Sequence, residues 1–155
     1  MAIYLLAFLI GLTTGLRALA PLAIVSWAAH LGWLHLEPTW LSFLGSTVTP
    51  WILSLLALGE LVTDKLPTTP SRKIPMQFGA RLVTGALSGA ALIAPAGTWI
   101  AGLVAGVIGA IVGTLGGAEL RGRLTRAVGN DLPIALLEDA VAIGCALLIV
   151  SRFAR

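Results

Sequence analysis

The sequence predicts an all-α, polytopic transmembrane helix bundle of about five spans, and three observations carry that prediction. Residues 98 to 120, TWIAGLVAGVIGAIVGTLGGAEL, are apolar and uncharged until Glu119. At about 1.5 Å per residue this stretch crosses a hydrocarbon core of about 30 Å. The chain as a whole is 57% hydrophobic and 11% charged, with a mean hydropathy of +0.96. That leaves too little polar surface to clothe a soluble domain of this size. The basic residues sit in short clusters beside apolar windows, which fits the positive-inside rule better than nucleic-acid binding despite the net charge of +3.

Taken in order, the windows are residues 3 to 29, 39 to 63 with an interruption at Pro50, 77 to 95, 98 to 120 and 132 to 151. The N-terminal window lacks a basic start and stays apolar beyond a signal-peptide core, so it reads as a retained span. Pro21 predicts a kink in it. Residues 39 to 48 fit either the second span or a re-entrant or interfacial piece. Pro67, Pro70 and Pro75 keep the following loop from being helical, and residues 66 to 76 are long enough to dip into the membrane. In the fourth window Gly102, Gly106, Gly109, Gly113 and Gly117 recur every three or four residues, a stripe that admits another helix backbone at close range. The fifth begins at Asn130, Asp131 and Pro133, with Asp131 expected as N-cap. Cys145 is expected to pack in the bundle; being alone, it offers no disulfide or paired-cysteine metal site.

Lys65, Arg72 and Lys73 follow the second window, and Arg121, Arg123 and Arg126 follow the fourth, whereas residues 30 to 38 and 95 to 98 hold no Lys or Arg. Both basic loops are expected in the cytoplasm, near lipid headgroups, with the N-terminus beside them. Trp27, Trp33, Trp40 and Trp99 then gather at the outer interface. Five spans leave Arg152 and Arg155 outside, against the rule.

A repeat is suggested within a single domain of residues 1 to 155, with halves at 1 to 75 and 76 to 155. Trp40 to Glu60 has the spacing of Trp99 to Glu119, and Arg17 aligns with Arg81. Two-span halves would be parallel; an inverted pair needs an odd number of spans.

Arg17, Glu60, Asp64, Arg81, Glu119, Glu138 and Asp139 are thereby expected to converge in one polar cluster toward the cytoplasmic side. Isolated charge in a bilayer costs at least about 2.5 to 3.5 kcal/mol, so such residues face partners or water. Three readings follow: ion pairs that lock the bundle, as in a structural or accessory subunit of a larger membrane complex, a pathway for an ion or small charged solute, and acidic pairs that bind Mg²⁺ for lipid phosphate chemistry. The last makes the chain an enzyme; the pattern favours a non-enzyme. No aspartate-rich lipid phosphotransferase motif is present, no cofactor is implied, and His30 and His35 fall on the other side from the acids. The lipid bilayer is the expected partner, nucleic acid is not, and the small-residue stripes suggest a homo-oligomer.

GLRALAPLAIVSWAAHLGWL, ALGELVTDKLPTTPSRKIP, QFGARLVTGALSGAAL and DLPIALLEDAVAIGCALLIV together resemble the small bacterial membrane proteins grouped as domain of unknown function 4126. The resemblance runs over nearly the whole chain, and ELVTDKLPTTPSR is its most distinctive part. It implies an all-helical protein of the bacterial inner membrane. It marks Arg17, Glu60, Asp64, Lys65, Pro67, Arg72, Glu138 and Asp139 as motif positions and gives none of them a role.

Overall fold

In the computed structural model, which describes residues 1–66 and 74–154, the first apolar window is two helices rather than one kinked span. Helix α1 (Ala2–Leu16) ends at Arg17, whose backbone is extended at φ −135° and ψ 119°. Helix α2 (Ala20–His30) restarts with Pro21 in its first turn. Proline there bends nothing: it opens a new helix at a position where the missing N–H would have had no partner. A 3-10 helix (Trp40–Gly45) buries Leu41 and Leu44 beneath α2. Then come α3 (Thr49–Thr63), opened by Pro50, α4 (Pro75–Ile93), opened by Pro75, α5 (Trp99–Val128) and α6 (Asp131–Ser151).

Direction decides the architecture. Ile3, at the start of α1, lines one pocket with Trp33, Leu34, Leu92, Pro95 and Phe153. Were α1 and α2 one helix, Ile3 and Trp33 would lie about 45 Å apart at 1.5 Å per residue. The chain therefore reverses at Arg17, and α1 and α2 form an antiparallel hairpin. Trp27 of α2 donates to Ser54 of α3 while Ala18 and Leu19 meet Glu60, so α3 runs back against α2. The six helices thus alternate in direction. One end, here the terminal end, holds both termini, the 3-10 helix and the start of α5. The other, the basic end, holds the close of α3, the start of α4 and the α5–α6 corner at Gly129.

This corrects the expected layout in three places. The N-terminus and the basic loops lie at opposite ends, because the first window turns back instead of crossing. Residues 39 to 48 are a 3-10 helix and a turn, not part of a span. Among the described residues three helices are long and apolar enough to cross a membrane, Pro75–Ala96 (α4 with the 3-10 turn that follows it), Trp99–Val128 and Asp131–Ser151, while α1, α2 and α3 are shorter. Fifteen residues give α1 about 22 Å, short of a 30 Å core, so its tip ends inside the bundle.

Glycine seats that tip. A Cβ added to Gly11 would stand 2.1 Å from the Gly106 carbonyl oxygen, and one on Gly15 would stand 2.5 Å from the Thr114 nitrogen. Across α4 and α5, Gly89 meets Gly102 and Gly106 meets Gly85 in the same manner. The stripe expected on α5 is thus spent inside the chain, holding α1 and α4 at backbone contact. Cys145, expected to pack inside, is exposed. The cap of α6 is Asn130, whose side chain accepts from the Leu132 N–H at 3.1 Å, rather than Asp131. Arg72, Lys73, Pro67 and Pro70, and with them most of the segment considered for re-entry, lie outside the described residues.

Candidate functional site

The break between α1 and α2 frees backbone groups that a bilayer or a packed bundle cannot hydrate. Two charged side chains take them. The Glu60 carboxylate accepts from the Ala18 N–H at 2.7 Å and the Leu19 N–H at 2.8 Å, one oxygen each. This places an anion on the N-terminus of α2, where the helix dipole favours it. Arg81 Nη1 donates to the carbonyls of Gly15 at 3.0 Å and Leu16 at 2.8 Å, placing a cation on the C-terminus of α1. The two caps face each other, with Arg81 Nη2 3.9 Å from Glu60 Oε1.

Arg17 lies at the tip itself and is fully buried. Its Nε donates to Asp139 Oδ1 at 2.5 Å, its Nη1 pairs with Asp64, and its Nη2 stands 3.9 Å from Glu138. The other oxygen of Asp139 takes Lys65 Nζ at 2.7 Å, and Lys65 also donates to the Leu61 carbonyl. Glu138 continues outward to Arg121 at 3.2 Å, and Arg121 forks onto Asp131 with bonds of 2.9 and 2.6 Å. Charge therefore runs in an alternating chain from the hairpin tip to the α5–α6 corner. Such a network holds ionised groups away from water only because each has a counter-charge.

Of the seven residues expected to converge, six do: Arg17, Glu60, Asp64, Arg81, Glu138 and Asp139. Glu119 does not join them. It pairs with Arg123 one turn along α5 at 2.8 Å, with side chains 58% and 70% exposed. Sequence spacing put Glu60 and Glu119 at equal rank, but α3 ends against the hairpin tip while α5 continues past it by several turns. Lys65 enters the cluster beyond its expected loop role, and Arg121 extends it. Arg121 was legible only as part of a basic loop; its spacing of ten from Asp131 across a helix corner carries no sequence signal.

A cavity of about 490 Å³ opens beside the cluster, between Leu56, Glu60 and Asp64 of α3 and Gln77 and Thr84 of α4, floored by Ala18 and Leu19. It exposes the outer side of the Glu60 cap. Among the described residues no three His, Cys, Asp or Glu are grouped to hold a metal ion. The acids are instead shared among guanidinium and ammonium groups.

The model of the family described as "Domain of unknown function (DUF4126)" matches residues 4–152, so the chain belongs to that family. No curated protein and no solved structure matches it.

Proposed function

We propose that this chain is a small transporter or channel-like permease of the bacterial inner membrane, moving an ion or small charged solute past the tip of the α1–α2 hairpin. One observation carries the reading: a helix pair that turns inside the bundle, with opposite helix ends capped by Glu60 and Arg81, borders a cavity whose largely apolar wall carries Glu60, Asp64, Gln77 and Thr84. Discontinuous helices whose ends face charge are a recurrent way to build a site within a bilayer, since the unpaired backbone and the helix dipoles both become usable there. Glu60 and Asp64, on the cavity wall, are the groups a passing solute meets. Arg17 and Asp139, behind them, set the field.

The test is flux. Purified protein in liposomes should show uptake of at least one member of a panel of protons, Na⁺, K⁺ and small anions, read with ion-sensitive dyes. Glu60→Gln should remove that uptake and leave a monodisperse, helical protein. Absence of flux across the panel, or flux unchanged in Glu60→Gln, would count against the reading.

A second reading has its own observation. Arg17 is wholly enclosed and its carboxylate partners are shared with Lys65 and Arg121, as a permanent lock would be. On that reading Glu60→Gln lowers stability alone. Enzymatic work on lipid phosphates has less support, because the acids are engaged with cations. The homo-oligomer expected from the glycine stripe would have to form through other faces.

A further inference from the structure

We infer that the basic end of the bundle faces the cytoplasm and that both chain termini lie on the opposite side of the membrane. This rests on helix direction and charge, and holds whether or not the chain transports a solute. The chain has ten Lys and Arg residues. Arg17 and Arg81 are buried in the hairpin cluster and orient nothing. Lys65, Arg121, Arg123 and Arg126 lie at the basic end, and Arg72 and Lys73 belong to the connection that joins α3 to α4 there. Arg152 lies at the terminal end, and Arg155 follows it in sequence. Positive charge in short connections stays on the cytoplasmic side, and six against two is a strong bias for so small a protein.

The indoles agree with a membrane boundary at the terminal end. Trp40 meets Trp99 edge-on at 5.4 Å, and Trp27 meets Trp51 at 5.0 Å. Trp33 lines the pocket between the hairpin and Phe153. All five tryptophans thus lie toward the terminal end of the helices, where indole rings at a membrane interface prefer to sit. The hairpin then enters from the outer side, stops short of the inner one, and presents Arg17 to the inner third. The cavity beside Glu60 then lies toward the cytoplasmic side.

Single cysteines in a Cys145→Ala background test the placement, using a membrane-impermeant maleimide on spheroplasts of bacteria expressing the full chain. Ala2→Cys, Glu37→Cys and Ala154→Cys, all exposed at the terminal end, should label from outside. Ala127→Cys, exposed in the last turn of α5, should label only after permeabilisation. Labelling of Ala127→Cys in intact spheroplasts would overturn the orientation, alone or together with the other three. Protection of Ala2→Cys while Glu37→Cys reacts would overturn the hairpin. A second measurement needs no cysteine: a green fluorescent protein fused to the C-terminus should stay dark and alkaline phosphatase at the same point should be active. A fluorescent fusion would equally refute the inference.

Discussion

Gly109→Ala and Gly116→Ala are the same substitution on the same helix, α5, and are expected to act in opposite senses. A Cβ on Gly109 would lie 2.0 Å from the Phe8 carbonyl oxygen of α1 and 2.8 Å from the Leu12 nitrogen, whereas one on Gly116 meets nothing within 4 Å. Ordinary contact begins at 3.4 Å, so α1 must withdraw from α5 by about 1.4 Å at that level. No rotamer change relieves the clash, because the obstructing atoms are backbone. Overpacking typically costs about 1 to 3 kcal/mol, and a rigid neighbour puts this case toward the upper figure. Alanine also gains about 0.8 to 1.0 kcal/mol of helix propensity over glycine at either position. That gain cancels in the comparison, so the difference between the two variants isolates packing at about 1 to 3 kcal/mol. Unfolding of each variant in mixed micelles, titrated with sodium dodecyl sulfate and followed by tryptophan fluorescence, measures it. Gly116→Ala should match or exceed the parent and Gly109→Ala should fall below it, with no change in oligomeric mass. Equal stability of the two would refute the seating of α1 on α5. A changed mass in Gly109→Ala would instead put the stripe between subunits.

Two further outcomes follow from the charge cluster. Arg17→Gln leaves Asp64 and Asp139 short of a buried counter-charge and should cost about 3 to 5 kcal/mol, seen as loss of the monodisperse fraction after solubilisation; adding Asp139→Asn should restore part of it, and a normal yield for Arg17→Gln alone would show that the arginine is not enclosed. Glu60→Gln keeps one acceptor, leaves the second backbone N–H unpaired and removes the charge facing Arg81, a loss of about 1 to 3 kcal/mol, whereas Glu119→Gln in its exposed pair should change the unfolding free energy by about 0.2 to 0.5 kcal/mol; equal effects would contradict the different placement of the two glutamates.

The membrane class, the glycine-lined packing helix and six of the seven cluster residues were legible in the sequence, for a common physical reason. Apolar length, small-residue spacing and intramembrane charge are each local signals tied to a cost that the bilayer imposes everywhere. The hairpin was not legible. A hydropathy window over residues 3 to 29 has the same mean whether the chain goes straight through or folds back at Arg17, since both forms bury the same side chains. What distinguishes them is the fate of four backbone groups, on Gly15, Leu16, Ala18 and Leu19, and the partners for those groups come from 41 residues away in the case of Glu60 and 65 in the case of Arg81.

The local hint of the break is Arg17 followed four residues later by Pro21. An arginine in mid-window is expensive unless the helix ends there, and a proline four residues on suits the first turn of a new helix better than the interior of an old one. The same reasoning bears on the suggested repeat. Arg17 stands before α2 and Arg81 lies within α4, both helices running from the basic end to the terminal end, while Trp40 stands before α3 and Trp99 opens α5, which run back. The matched stretches, α2–α3 and α4–α5, thus run in the same direction, whereas the halves at 1 to 75 and 76 to 155 hold three α-helices each and run in opposite senses. They differ in what the matched charges do: Arg81 caps the helix end that Arg17 terminates, and Glu60 closes the gap while Glu119 stays on the surface. The matched positions have complementary tasks, and with Glu60 rather than a second arginine at the break, a cavity carrying Glu60, Asp64, Gln77 and Thr84 borders the α3–α4 side of the hairpin tip.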